Sequence, residues 1–457
     1  MAFKYNPPTR TFCKVCVELA QTIRNPIIDT HNGKSTSANN FPFHNWYNFV
    51  LGYSPEFPEY LIKKFEISTD KIVVDPFMGT GTTLITCKQN GITSFGVDAN
   101  DYFIDVAKTK LNWNLDAKEL EKNKKSIIEA FLNYTSEIDF EETEKTNQLQ
   151  FEKVVKTKNY KSIAEESRTA LLDPRYISAK PLVKLVILKD IINDLIPNYN
   201  RDFFLLTLSS IIVPVSNVKY GPGFGVNKPK EDVDVLKYFK NKADRMILDI
   251  QSQVNNKETH SEVYHGDARK LDEVFSENSI DFMITSPPYP GDHEYTKHTR
   301  LELIFMNYAI SKDEFRTIKK RMLRGSTTNI YKEDKEKENV SELSSISSIT
   351  QLIEERLKHD GATSGFEKLY TKLVWEYFGG MYNNFKTAHK VLKDGGKYSL
   401  LVSDSHAFKM THIKTAEILG EVAIKAGFKK AEIELWQNKV STSHKYDLHE
   451  NILIVTK

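Results

Sequence analysis

Hydrophobic and polar positions fall into a strand–helix–strand rhythm early in the chain. Ile72–Asp75 is a short apolar run ending in an acid, the pattern of a buried strand. Pro76 to Gly81 is a glycine-bearing turn. Thr82 to Asn90 then reads as a helix stopped by Gly91, Thr93–Asp98 as a second strand and Asp101–Leu115 as a second helix. Strand, glycine turn, helix and strand in that order make a βαβ unit with a right-handed crossover. Upstream, residues 1–42 are irregular and polar, and Phe43 to Phe65 turns aromatic and then helical.

The rhythm then breaks twice. Residues 116–230 are charged and helix-prone at first, apolar from Leu182 to Val215, and loop-like at Lys219-Tyr-Gly-Pro-Gly-Phe-Gly225. That is too long for a strand-to-helix connection and reads as an inserted domain. A helix around Asp232–Gln253 leads back to strand-like Glu262–Tyr264 and Ile280–Thr285. A second departure, from Tyr308 to Gly365, holds a basic stretch, a Lys/Glu run at Lys332–Glu338 and a serine-rich segment at Ser341–Ser348. A helix at Leu369–Val391, a strand at Lys397–Val402, a helix at His412–Gly427 and strands at Lys430–Trp436 and Glu450–Val455 close the chain. No internal repeat is visible. The expected division is an extension (1–42), a first sheet part (43–115), a largely helical insertion (116–230), a second sheet part (231–307), a second insertion (308–365) and a C-terminal sheet part (366–457). The fold class is α/β, a mostly parallel Rossmann-like sheet interrupted twice, with an antiparallel terminal strand.

Composition narrows the setting. The 457 residues exceed one ordinary domain. The 63 basic and 61 acidic residues nearly cancel, so any site for a polyanion must come from local clustering. Three cysteines do not make a disulfide framework and fit a reducing compartment. Cys13-x-x-Cys16 is half a zinc site without a second pair, and no metal is expected. Met1 to Arg10 lacks the apolar core of a leader, and no apolar run is long enough to cross a bilayer. The chain therefore reads as soluble and cytoplasmic.

The first strand-to-helix turn carries the first candidate chemistry. In Asp75-Pro76-Phe77-Met78-Gly79-Thr80-Gly81-Thr82-Thr83 the glycines permit special backbone angles and remove side chains where a ligand approaches. The helix beyond offers free N–H groups to the polar end of a ligand. The spacing is not that of a dinucleotide site, and no phosphate-binding lysine follows, so a ligand without phosphates is expected. Asp98, at the end of the second strand, is placed to accept hydrogen bonds from both hydroxyls of a ribose. The bland alternative is a tight turn and a helix-capping acid.

Asp75-Pro-Phe-x-Gly-x-Gly-Thr-Thr resembles the cofactor motif of S-adenosylmethionine-dependent DNA amino-methyltransferases. Phe43 to Ile62 resembles the segment these enzymes fold over the methionine part of the cofactor. Trp46 and Tyr47 are candidates to line that pocket or to be core. His265-Gly266-Asp267-Ala268 resembles the family's third motif, which implies that Asp267 contacts the adenine. The implied cofactor is S-adenosylmethionine, leaving as S-adenosylhomocysteine.

Ser286-Pro287-Pro288-Tyr289 follows the apolar strand Ile280–Thr285 and is the candidate catalytic loop. An exocyclic base amine is a poor nucleophile, because its lone pair is delocalised into the ring. Acceptors aimed at its N–H groups free that lone pair as positive charge develops. The Ser286 hydroxyl and the Pro287 carbonyl are candidate acceptors, and consecutive prolines stiffen the loop and remove N–H donors. Tyr289 is a candidate to stack on a base that has left the duplex. Carbon methylation needs a thiolate after proline, and no Pro-Cys exists. Within the family, serine before Pro-Pro-Tyr is more similar to cytosine-N4 enzymes than to adenine-N6 enzymes. The cofactor turn here precedes the catalytic loop, whereas many relatives with this loop carry the reverse order. The resemblance covers Phe43–Asn114, Glu262–Leu303 and Leu369–Lys457.

The resemblance implies double-stranded DNA as partner, in a restriction–modification or defence setting with a possible endonuclease companion. His293, Tyr295, Lys297 and Arg300 follow the catalytic loop and are placed to order an extruded nucleotide. Arg316, Lys319, Lys320, Arg321 and Arg324 crowd before Gly325-Ser-Thr-Thr-Asn-Ile-Tyr331, which suits a backbone-and-base reading loop or, alternatively, a solvated helix face. The Gly221–Gly225 loop with Lys219, Lys228 and Lys230 is a further candidate. The expected activity is cytosine-N4 methylation of DNA. Adenine-N6 methylation, RNA base methylation and a silent DNA-binding relic are the alternatives.

Overall fold

The β-branched run Ile72-Val-Val leads into the first interior strand, flanked by helices whose caps stand in the sequence. The computed structural model describes residues 20–23 and 41–457, except 139, 141–159, 221–223, 254, 292–293, 362–363 and 441–446. The first elements are β1 (Ala20–Ile23), α1 (Glu56–Lys64), β2 (Ile72–Asp75), α2 (Thr82–Gln89), β3 (Thr93–Asp98) and α3 (Asp101–Leu111). The Asn100 side chain caps α3 by accepting from the Tyr102 amide at 3.2 Å. A helical unit follows: α4 (Ala117–Ser136), α5 (Tyr160–Glu166), α6 (Ala179–Leu195), α7 (Asn198–Val215), strands β4 (Val218–Tyr220) and β5 (Phe224–Val226), and α8 (Val235–Ser252). The sheet resumes with β6 (Ser261–His265) and β7 (Ile280–Thr285). Then come α9 (Arg300–Phe305), α10 (Lys312–Arg321), α11 (Ser344–His359), α12 (Tyr370–Val391) and β8 (Leu392–Ser403). The chain ends with β9 (Ser405–Phe408), β10 (Thr411–Ile413), α13 (Thr415–Lys425), β11 (Lys430–Val440) and β12 (Asp447–Thr456).

Eight of these strands form one sheet in the order β1-β11-β12-β8-β7-β2-β3-β6. Neighbours are parallel except that β12 runs antiparallel to both β8 and β11. This is the Rossmann-like α/β sheet that the alternation of elements predicts. Side chains alternate across it. Val73, Ile284, Leu401 and Ile452 join one buried cluster, while Val74, Met283, Leu400 and Leu453 join the cluster on the opposite face. Both faces are covered, which is why these strands read as continuous apolar runs.

The order of strands positions the site. From β2 the chain moves one way to β3 and β6, and from β7 the other way to β8. β2 and β7 pair directly, Val74 beside Met283. The loops leaving their C-terminal ends therefore emerge side by side at the point where the strand order reverses, the usual place for a ligand in such sheets.

The helical unit extends further than the sequence pattern suggested. The buried faces of α4, α6, α7 and α8 share one cluster, so Val235, Phe239, Met246 and Ile250 of α8 pack with the helices of the insertion. That cluster continues into Phe43 and Trp46 and the outer face of α3. Buried Asp249 of α8 ties the segment down, accepting from the Phe43 amide at 3.1 Å and from Trp46 Nε1 at 2.9 Å.

The second insertion is a strap across α12. Gly379 and Gly380 stand in mid-helix, where glycine is ordinarily unfavourable. A Cβ on Gly379 would lie 1.9 Å from the Glu336 carbonyl oxygen, and one on Gly380 2.6 Å from Leu323 Cδ1. The glycines thus admit the strap between Leu323 and Glu336. Gly379→Ala is expected to destabilise the protein by about 1–3 kcal/mol, as overpacking does. A denaturation midpoint equal to that of the parent protein would refute the close crossing.

Candidate active site

The two loops at the β2 and β7 ends wall a cavity of about 930 Å3, open mouth included. Phe49, Leu51, Gly52 and Tyr53 close one side, and Pro76, Phe77, Met78, Gly79, Thr80 and Thr82 form the floor. Asp98, Ser286, Pro288 and Tyr295 contribute from the strand ends. Arg321, Leu323, Gly325, Ser326 and Asn329 close it from the second insertion.

The two glycines of the turn serve different ends. Gly79 has φ +50°, and a Cβ there would meet nothing within 4 Å, so it leaves open room over the floor. Gly81, at φ +83°, caps α2, and a Cβ there would lie 3.2 Å from Ala107 Cβ; it permits close packing of α2 on α3. The loop is held from beneath by Lys110, which is buried and donates to the Thr80 carbonyl at 2.9 Å. Burial lowers the pKa of that ammonium to about 7. A lysine near a helix end reads in sequence as a solvated charge, and nothing local marks its inward turn.

Asp98 accepts from the Gly79 amide at 2.9 Å and the Asn100 amide at 2.8 Å. Among the described residues no basic side chain pairs with it. Burial pushes its carboxyl up to about 7, the two backbone donors only partly offsetting that. It is a half-buried acceptor facing a cavity without a cationic partner. The residues fit a ligand that brings hydroxyl donors to this carboxyl.

Asp75 has a different role from the one its place in the motif suggests. It is fully buried and does not line the cavity. It accepts from Tyr53 Oη at 2.7 Å, from the Phe77 amide at 3.1 Å and from the Thr285 hydroxyl. It therefore ties the floor, the β7 end and the covering segment together; burial raises its pKa to about 6. Thr83 is likewise internal, bonded to Tyr53 Oη and to the Ile284 carbonyl.

Ser286 Oγ donates to the Leu401 carbonyl at 3.1 Å and lies 3.0 Å from Tyr289 Oη. With its proton directed at Leu401, the hydroxyl keeps acceptor capacity. Tyr289 is half-buried against the apolar cluster of α12 and β8 and does not line the cavity. Burial holds its phenol well above the usual tyrosine range. In this structure it touches Ser286, and the aromatic residues lining the cavity are Phe49, Tyr53, Phe77, Phe103 and Tyr295. Pro287 is buried between its neighbours.

Other expected residues are placed elsewhere. Trp46 is 1% exposed within the helical unit's cluster, and Tyr47 donates to Glu302 at 2.8 Å; neither lines this cavity. The covering segment reaches it a few residues later, at Phe49 to Tyr53. The Asp267 carboxylate is gripped by Arg269, with Nη2 at 2.6 Å, and only the adjoining Ala268 borders the cavity. Arg269 also reaches Glu336 at 3.1 Å, so this pair belongs to the seam with the strap.

Of the basic residues, Lys297, Arg316 and Lys320 are exposed. Arg316 and Lys320 lie over the Tyr331 ring at 5.5 Å. Lys319 pairs with buried Glu294 at 3.0 Å, and Arg321 bonds His265 at 2.6 Å and Asp101 at 3.4 Å. Arg300 packs on Phe315. Arg324 is 5% exposed, paired with Asp334 at 2.9 Å, and donates to the Lys319, Lys320 and Met322 carbonyls at the end of α10; it is an internal support, not a surface charge. Lys219 is exposed, while Lys230 donates to the Pro214 carbonyl at 2.6 Å. His293, Gly221, Cys13 and Cys16 lie outside the described residues. Among the described residues no cluster of His, Cys, Asp and Glu is placed to hold a metal, and no helix is long and apolar enough to cross a membrane.

Residues 25–109 match a family described as DNA methylase. The chain is 23% identical over 334 residues to the type II methyltransferase M.BsoBI of Geobacillus stearothermophilus, a match spanning 68% of this chain and 61% of that relative. It is 35% identical over 85 residues to the type II methyltransferase M.MjaII of Methanocaldococcus jannaschii, covering 19% of this chain and 15% of that one. A shorter match, 33% over 58 residues, is to the type II methyltransferase M2.LlaDCHI of Lactococcus lactis subsp. cremoris, covering 12% and 22%. The chain thus spans about three fifths of the length of the first of these relatives.

Proposed function

We propose that this chain is a DNA amino-methyltransferase that transfers the methyl group of S-adenosylmethionine to the N4 amine of an extruded cytosine. The observation that carries the reading is the meeting of Asp98 and Ser286 in one cavity. The similarity to type II methyltransferases and to the DNA methylase family supports it. The cofactor supplies an electrophilic methyl group when bound. Asp98 accepts the ribose hydroxyls, Gly79 leaves room for the nucleoside, and Phe49 to Tyr53 cover the amino-acid end. Ser286 Oγ, hydrogen-bonded through its own proton to the Leu401 carbonyl, accepts from one N–H of the base amine, and the Pro287 carbonyl accepts from the other; the methylated amine then releases one proton to solvent, and the cofactor would leave as S-adenosylhomocysteine. The two acceptors localise the nitrogen lone pair and stabilise the positive charge that grows as the new bond forms. The stiff Pro-Pro backbone holds them in place without reorganisation. Phe49 and Tyr295 offer flat faces to the base.

Serine ahead of Pro-Pro-Tyr is the feature that favours cytosine over adenine. Lys297, Arg316 and Lys320 are exposed, and on this reading they meet DNA phosphates; a companion endonuclease or defence partner is part of the same reading. The direct test is label transfer: methyl-labelled cofactor, the chain and unmethylated DNA should give acid-precipitable label. No label above a Ser286→Ala control would contradict the reading. Replacing Lys297, Arg316 or Lys320 by alanine should reduce the slope of log affinity against log salt by about 0.9 each. Unchanged slopes in all three would remove them from the DNA face.

A further inference from the structure

Two polar groups that line the cavity are complementary to each other, and neither meets its match within the chain. Asp98 presents a carboxylate whose hydrogen bonds come from the Gly79 and Asn100 amides, with no side-chain donor among the described residues. Tyr295, half-buried in the same lining, presents a phenol whose hydroxyl has no hydrogen-bond partner among the described residues. The unmatched hydroxyls of Tyr220 and Tyr377 are shut off from solvent; that of Tyr295 is not, and it opens on the cavity. Its ring leans on Phe49, with centroids 5.9 Å apart and planes tilted by 35°.

The phenol stands between the cofactor end of the cavity and the catalytic loop. Burial, and after it the charge of Asp98, hold it well above the usual tyrosine range, so it remains a donor at any working pH. Tyr289, whose phenol burial raises first, also feels Glu450 and Tyr295, and its hydroxyl lies 3.0 Å from Ser286 Oγ. A donor in that place needs an acceptor. The ring nitrogen or carbonyl of the base is a poor one for the reaction, because a hydrogen bond there draws electron density away from the amine that must attack. A ribose hydroxyl is a good one. It gives its proton to Asp98 and keeps lone pairs on its oxygen, so one hydroxyl set between the two groups satisfies both.

We propose that the Tyr295 hydroxyl donates to a ribose hydroxyl oxygen of the cofactor whose own proton goes to Asp98. The proposal rests on the methyltransferase reading above and adds a second cofactor-binding group to it. The ring face of Tyr295 serves the base, and the hydroxyl at its edge serves the nucleoside. The segment that carries the catalytic loop is thereby pinned to the bound cofactor.

Tyr295→Phe in the full chain removes that hydroxyl and keeps the ring. Calorimetry measures the binding of three probes: S-adenosylhomocysteine and its 2′-deoxy and 3′-deoxy analogues. The variant should bind the intact probe about 3- to 10-fold more weakly than the parent protein does, the range of one hydrogen bond. For the analogue that lacks the bridging hydroxyl, the two proteins should agree within about twofold, since the variant has nothing left to lose there. An equal loss for all three probes, as a general weakening of the fold would give, or no loss for any, would overturn the proposal. Label transfer by the parent protein is measured on the same preparation. Transfer with equal losses removes the ribose contact alone, whereas a parent protein that neither transfers label nor binds S-adenosylhomocysteine removes the methyltransferase reading and the contact with it.

Discussion

Replacing Ser286 by alanine should slow methyl transfer about 100- to 1000-fold while leaving cofactor affinity within about twofold; a preorganised group that meets developing charge is typically worth ~2.7–4 kcal/mol. The hydroxyl is anchored to the Leu401 carbonyl and Tyr289, so it does not have to be reoriented for each turnover. Alanine removes the acceptor but keeps the prolines and the floor. The effect should fall on kcat, since the interaction strengthens as charge appears on the base nitrogen. Single-turnover rates and calorimetric cofactor titration separate the two. A Ser286→Ala protein with parental turnover would mean that the loop works through its backbone alone. Tyr289→Phe removes only the phenol that touches Ser286 and should be milder. Its loss, relative to Ser286→Ala, measures how far the tyrosine acts by holding the serine.

The second large effect falls on the cofactor. Asp98→Ala should weaken cofactor binding by about 100-fold or more, because two hydrogen bonds to an ionised acceptor are each worth ~1.5–3 kcal/mol. The carboxyl also makes binding depend on pH. Burial places its pKa near 7 in the free protein, and hydroxyl donors favour the ionised form. Binding below pH 7 must therefore expel a proton. Affinity should fall as pH drops below about 7, by at most tenfold per unit, and level off above it. The same raised pKa opposes folding: a carboxyl that binds its proton more tightly folded than unfolded contributes less stability as pH rises from ~4 to 7. Asp98→Asn should flatten the pH dependence of binding. A variant that retains it would assign the titration to Asp75 or Glu302, whose carboxyls burial also raises, to about 6 and about 7.

What could be read in the sequence follows from the range of the interactions. The βαβ unit and the position of Gly79 and Asp98 at the strand ends were legible because the turn, the strand ends and their spacing are local. Ser286 was legible because the loop directly follows an apolar strand. The inward turn of Arg324 was not, since a buried charge and a solvated one look alike until Asp334 meets it. Asp75 stands where a ligand would be expected, yet the hydroxyls of Tyr53 and Thr285, from distant segments, and the nearby Phe77 amide consume it. Trp46 and Tyr47 stayed open between pocket and core, because an aromatic stretch without periodicity does not reveal which ring turns where; they join the core. The extent of the helical unit was hidden for a similar reason: α8 is amphipathic, and only packing shows that its apolar face meets α4 and α7. Gly379 and Gly380 were a visible signal of a close crossing, although the segment that crosses them comes from another part of the chain.

The measurement closest to the central claim is mass spectrometry of nucleosides from DNA incubated with the chain and isotopically labelled S-adenosylmethionine. Label in N4-methylcytosine is the predicted result. Label in N6-methyladenine would keep amine methylation and overturn the choice of cytosine. Label in C5-methylcytosine, or in no nucleoside, would contradict the account.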